Sequence, residues 1–174
     1  MSISQFNLTT GQRAERKLLI TVAEWSEGAN SPVREVLGTR TEDSSIEYNA
    51  DIATTTDILG NNYTDINKTQ PQQAFDPYLV LGGSKLGAKL NDIRKRNAVS
   101  ELNQFTMYII TAFVGTSGAY EAEKHTDCTI SYNSIGGDTN VNFPITVYFS
   151  NKITNGTVDK LSDDFTFAAN GAGL

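Results

Sequence analysis

The chain has 174 residues, enough for one domain of ordinary size or one domain with a long excursion. Its 39% hydrophobic and 20% charged content is that of a soluble globular protein with a real but modest core. The net charge of −6 argues against stable nucleic-acid binding, which needs Lys and Arg to displace phosphate counterions.

The polar opening, residues 1–15, predicts a flexible arm, and no apolar run precedes its charges as a signal peptide or membrane anchor would require. "RKLLITVAEW", Arg16 to Trp25, predicts a first strand by its β-branched and aromatic content. "SEGANSP" ends it with Gly, Asn and Pro together, and Val33 to Arg40 begins a second strand.

A long hairpin occupies residues 41–67. Alternate residues give Ile46, Tyr48, Ala50, Ile52, Thr54, Thr56 and Ile58 on one side, and Glu47, Asn49, Asp51, Ala53, Thr55 and Asp57 on the other. This period of two predicts a strand with one mostly apolar face and one acidic, polar face. From Thr41 to Asn67 there are six carboxylates and no Lys or Arg. "LGNNY" supplies the turn, because Gly60, Asn61 and Asn62 tolerate positive φ. A three-residue turn would set Asp65 opposite Asp57 on the same face, and a two-residue turn would put it on the other. A two-stranded ribbon of this length is marginal alone in water, and its open edges invite pairing with other chains.

Residues 67–78 read as an extended connector punctuated by Pro71 and Pro77. Residues 84–97 predict the one convincing helix, with Ser84 as N-cap and Leu86, Leu90 and Ile93 on one face. Lys85, Lys89, Arg94, Lys95 and Arg96 make that helix basic, with only Asp92 opposing them: either a solvated face with cations near the C-terminal dipole, or a surface complementary to a neighbouring copy's acidic hairpin. "GGSKLG" lacks the spacing of a phosphate-binding loop and reads as helix entry.

The remainder reads as β. "FTMYIITAFV", Phe105 to Val114, is apolar on both faces, as in a strand covered on both sides. "KHTDCTISY" and "NVNFPITVYFS" predict a hairpin around "NSIGGDTN", with Pro144 at an edge or bulge. "NGT" at Asn155 reads as a turn and "DDFTFAA" as a last short strand. Cys128 is the only cysteine, so an intrachain disulfide is excluded and a reducing compartment is natural. His125 and Cys128 are expected on opposite strand faces, the His exposed and the Cys buried, which speaks against a shared metal site. The acids of the hairpin are strung along an extended segment and do not form a calcium loop. No acid, base and nucleophile converge, so no enzyme, catalytic residue, metal or cofactor is expected.

The phrases "EYNADIATTTDILGNNYTDINKTQPQQAFDPY", "GSKLGAKLNDIRKRN" and "DCTISYNSIGGDTNVNFPITVYFSNKITNGTVD" together resemble the major tail tube proteins of long, non-contractile-tailed phages, over roughly Lys17 to Phe167. The resemblance implies a single mainly β domain: a β-sandwich or incomplete barrel of antiparallel sheets with one packed helix. It implies a virion protein made in a bacterial host cytoplasm, assembling as hexameric rings stacked into a hollow tail tube through which DNA passes. Its partners would be itself, a tape-measure protein, and tail terminator and distal tail proteins, with no membrane involved. Glu47, Asp51, Asp57 and Asp65 would then face the lumen, where carboxylates let a duplex slide without binding. Ile46, Tyr48 and Ile52 would pack on the core, and these three with Ile58 and the five helix cations are the subunit-interface candidates. The inner tube of a contractile tail or injection particle shares the implied fold and is the alternative. From another class, a monomeric β-sandwich binding module would show a concave site lined by aromatics, with Tyr48, Tyr63 and Tyr78 the residues to look for.

Overall fold

Eleven strands and one α-helix are described over residues 4–29 and 31–171 of the computed structural model. In chain order the strands are β1 (Leu19–Trp25), β2 (Val33–Val36), β3 (Ile46–Glu47), β4 (Asp51–Thr56), β5 (Asn62–Lys68) and β6 (Gln72–Phe75). After helix α1 (Lys85–Arg96) come β7 (Phe105–Thr116), β8 (Ala119–Tyr132), β9 (Ile145–Tyr148), β10 (Ile153–Val158) and β11 (Phe167–Ala169). Nine of them form one antiparallel sheet in the order β2-β1-β7-β8-β9-β6-β3, with β10 added beside β8 and β11 beside β10. Strands β4 and β5 pair only with each other, as a separate ribbon.

The sheet folds around its longest strand. The first half of β8 pairs with β7 and β10, whereas Thr129 to Tyr132 pair with β9. Between them Asp127 takes φ 56°, and the ladder slips by one residue between the Met107–His125 and Phe105–Cys128 rungs. Such a bulge bends the strand and re-aims the side chains beyond it. The arms therefore close on a common core of Ala23, Phe75, Met107, Ile130, Ile145 and the helix residues Leu86, Leu90 and Ile93. Across the seam Thr21 Oγ1 donates to Gln73 Oε1 at 2.8 Å, so the sandwich is an incomplete barrel. On the outer face a second cluster packs Val22, Tyr108, Ile110, Ala122, Val158 and Phe165. Strand β7 is thus covered on both faces, as its unbroken apolar run predicts.

Helix α1 starts and stops at residues chosen by cap chemistry. Ser84 Oγ accepts from Gly87 N at 3.1 Å, and Asn97 closes the helix in the left-handed conformation at φ 53°. A Cβ at position 87 would approach Ser84 Oγ to 2.9 Å, so a larger residue there would disturb the cap. A second cap comes from β2. The Glu35 carboxylate accepts from Lys85 N (2.5 Å), Leu86 N (2.9 Å) and the Tyr78 hydroxyl (2.8 Å). It neutralises the positive end of the helix and ties α1 to the sheet. Burial pushes the Tyr78 phenol well above its ordinary pKa, so it remains a donor. Replacing Glu35 with Ala strands these donors and should lower stability by about 2–3 kcal/mol, with Glu35→Gln retaining part of it. Urea unfolding of the three proteins measures both.

Several expectations need correction. Residues 67–78 are not a connector: Asn67 and Lys68 end β5, and Gln72–Phe75 form β6 between β9 and β3. The segment carrying Asn155 is strand β10 and not a turn. The opening arm is pinned at Phe6 and Asn7: Asn7 N donates to Phe113 O at 2.9 Å, and the Phe6 and Phe113 rings meet edge to face at 5.7 Å. Residues 1–3 of that arm lie outside the described residues. His125 is buried, because the Asp127 bulge reverses the alternation and turns both His125 and Cys128 inward. Its ring nitrogens meet Ser150 O (3.0 Å) and Glu123 Oε2 (3.2 Å). Pro144 lies just before β9, outside the ladder, as a residue without N–H must.

Candidate functional site: an exposed ribbon and a charged helix

The acidic hairpin is one long antiparallel excursion with a break in it. At its base Ile46 and Glu47 pair with Gln73 and Gln72, inside the main sheet. Asn49 then adopts φ 43°, and Tyr48 O accepts from Gln70 N at 2.7 Å across the bend. Beyond it β4 and β5 continue as an isolated ribbon, with a bulge at the Asp51 rung. Glu47 and Asp51 therefore belong to different strands, not to one continuous acidic face.

Within the ribbon the register separates the faces. Ile52 opposes Ile66, Thr54 opposes Thr64 and Thr56 opposes Asn62 on one face. Ala53 opposes Asp65 and Thr55 opposes Tyr63 on the other. The turn is Ile58–Gly60, three residues, with Gly60 N donating to Asp57 O (3.1 Å) and Gly60 at φ 82°. Asp65 consequently shares a face with Thr55 and Tyr63, but Asn61 rather than Asp65 closes the rung at Asp57.

Of the apolar residues expected on the core, Ile46 alone packs against it. Tyr48, Ile52 and Ile58 are exposed, because the bend at Asn49 carries the ribbon away from the sheet. Ile52 and its partner Ile66 stand 59% and 64% exposed, an aliphatic pair with nothing over it. The charge is also less one-sided than the run from Thr41 to Asn67 suggests. Lys68 is the cross-strand partner of Asp51, one residue past that run. Asp57 is held below the usual carboxylate range by the Asn61 side chain and by the Asn61 and Leu59 backbone N–H groups.

The basic helix is largely neutralised from within the chain. Lys85 pairs with Asp163 (2.9 Å), Lys89 with Glu101 (2.8 Å), and Arg96 with both Asp92 (2.7 Å) and Glu101 (2.8 Å). Arg94 and Lys95 are the α1 cations with no ion pair among the described residues. Arg96 first, then Lys89, holds Glu101 down from the ordinary 4.5 to about 2. The folded value is lower than the unfolded one, so this contribution is present above pH 4.5 and is lost as pH falls towards about 2. Glu101→Gln should flatten the acid-side fall of the melting temperature in that window, which melts at successive pH values would show.

A concavity of about 1040 Å³ between α1 and the β1–β2 turn is lined by charged and small residues such as Glu27, Arg34, Lys89 and Asp92, with no aromatic. Tyr78 is in the core, and Tyr48 and Tyr63 are on the ribbon, so the three do not share a groove. Among the described residues no three His, Cys, Asp or Glu side chains are grouped to hold a metal, and no helix is long and apolar enough to cross a membrane. Burial raises the pKa of the Cys128 thiol, which keeps it protonated and unreactive. Sequence reasoning passed over Leu59 and Ile66, whose signal was their place beside Ile58 and opposite Ile52.

No family profile and no curated protein matches this chain significantly. Solved structures do. The anti-feeding prophage cap, which terminates that particle's tube, aligns with a TM-score of 0.50 at 15% identity, covering 90% of this chain and 99% of that one. The anti-feeding prophage baseplate gives 0.48 at 8% identity, covering 85% and 97%. The sheath–tube complex of the extracellular contractile injection system PVC, in its extended state, gives 0.42 at 12% identity, covering 79% and 88%. The first of these likenesses shows a shared fold: mainly β, antiparallel, with one packed helix.

Proposed function

We propose that the chain is a structural subunit of a hollow tube of the kind found in contractile injection particles, or of the cap that ends such a tube. The observation that carries this is the β4–β5 ribbon: a two-stranded sheet with an uncovered Ile52–Ile66 face and two open edges, on a body whose buried clusters include no ribbon residue. Such a ribbon is marginal alone and becomes stable when other copies cover it. The fold shared with the tube-terminating cap of the anti-feeding prophage supports an injection-type particle over the long non-contractile tail that the sequence phrases resemble.

The partners are further copies of the chain, in closed rings for which the resemblance implies six members, with tape-measure, terminator and distal proteins inside and at the ends. The place of action is the assembled particle, and the role involves no catalysis. Between Ile46 and Lys68 four carboxylates against Lys68 leave a net charge of −3. Ring symmetry repeats that charge around a channel, and a wall of this sign does not retain a polyanion through counterion release. Sedimentation velocity across a concentration series tests the reading. It predicts a step from monomer to one closed ring or to an open-ended polymer. A chain that remains monomeric, or stops at a dimer, contradicts it.

A further inference from the structure

The ribbon tip and one groove of the body are a matched pair. At the tip Ile58 is fully exposed (102%) and Leu59 is 81% exposed. Their backbone is not loose. The Asp57 carboxylate accepts from Leu59 N (2.8 Å), Asn61 N (2.9 Å), Asn61 Nδ2 (3.0 Å) and the Tyr63 hydroxyl (3.1 Å). A turn whose polar groups are satisfied internally presents two aliphatic side chains outward at little ordering cost to a partner.

The groove has about 350 Å³ of space beside α1. Its walls are Val80, Leu81, Ile135 and Val141, each 36–50% exposed, and Phe143 is its buried floor. It is pre-formed, since Val80 N donates to Val141 O (3.0 Å) and Gly136 N to Asn142 O (3.0 Å). One side is the α1 stripe Ser84, Gly87, Ala88 and Asn91. Helical spacing continues that stripe to Arg94 and Lys95, the two unpaired cations, and Arg94 Nη2 donates to Asn91 Oδ1 at 2.9 Å. A ribbon of net charge −2, Asp51, Asp57 and Asp65 against Lys68, thus meets a groove whose helical side runs on to two cations, the complementarity that steers an encounter and fixes its direction.

We propose that the Ile58–Leu59 tip of one copy docks in the Val80–Val141 groove of a second copy. The inference rests on the assembly reading and names the contact that would join the copies. The test mixes full-length Ile58→Cys with full-length Val141→Cys under mild oxidation. Both positions are exposed, so neither substitution removes a core contact, and native Cys128 is buried. The 58–141 disulfide should form on the order of tenfold faster than one between Ile58→Cys and a control Ser162→Cys, and Ile58→Asp should weaken self-association by about tenfold or more. Rings or tubes without preferential 58–141 linkage would overturn the docking and leave the assembly reading standing. Linked pairs that never grow into rings or tubes would uphold the docking and refute the tube. Neither linkage nor assembly would refute both.

Discussion

Arg34→Ala is expected to lower the unfolding free energy by about 3–5 kcal/mol, a loss on the scale of truncating a core side chain. Glu24 is nine-tenths buried on β1, and Arg34 from the neighbouring strand is its charge partner at 2.5 Å. The same carboxylate accepts from the Tyr108 hydroxyl at 3.2 Å. Burial, reinforced by the Glu24 charge, pushes that phenol up to about 12, so it remains a donor at any ordinary pH. Arg34 also lies over the Phe165 ring, 4.1 Å from its centroid, and donates to Phe165 O, which anchors the approach to β11. Truncating the guanidinium leaves a buried carboxylate without a cation, and that penalty dominates. The Glu24→Ala, Arg34→Ala pair should therefore be less destabilised than Arg34→Ala alone, as denaturant unfolding of the cycle would reveal. A loss under about 1 kcal/mol for Arg34→Ala would mean that the pair behaves as a surface ion pair.

Excising the ribbon has the opposite signature. A chain in which residues 50–69 are replaced by Asn-Gly should melt close to the full-length protein, because β4 and β5 pair only with each other and neither contributes to the buried clusters. It should lose self-assembly altogether. Thermal melts and sedimentation of the same preparation separate the two effects. Assembly by the shortened chain would show that the ribbon is not the joining element.

What the sequence displays and what it hides divides along physical lines. Helix α1 was legible to within a residue at each end, because Ser84 and Leu86, Leu90 and Ile93 are local signals. The both-face burial of β7 was legible from an unbroken apolar run. Strand β6 was hidden by Pro71 and Pro77, which flank it without entering its ladder. Strand β10 was hidden by Gly156, which reads as a turn residue. It is needed because a Cβ there would meet Ala168 O at 2.3 Å and the Phe167 ring at 2.6 Å. Single left-handed residues hide the most. Asn49 and Asp127 each break a period-of-two pattern, one lifting the ribbon off the body and the other burying His125. Neither Asn nor Asp announces that conformation, since both are ordinary in loops. The neutralised helix was illegible for another reason: Glu101 and Asp163 reach Lys89 and Lys85 through tertiary structure alone.

Electron microscopy of the concentrated full-length protein tests the central claim most directly. Closed rings with a central channel, single or stacked into tubes, are the predicted result. A field of separate monomers under every assembly condition would contradict it.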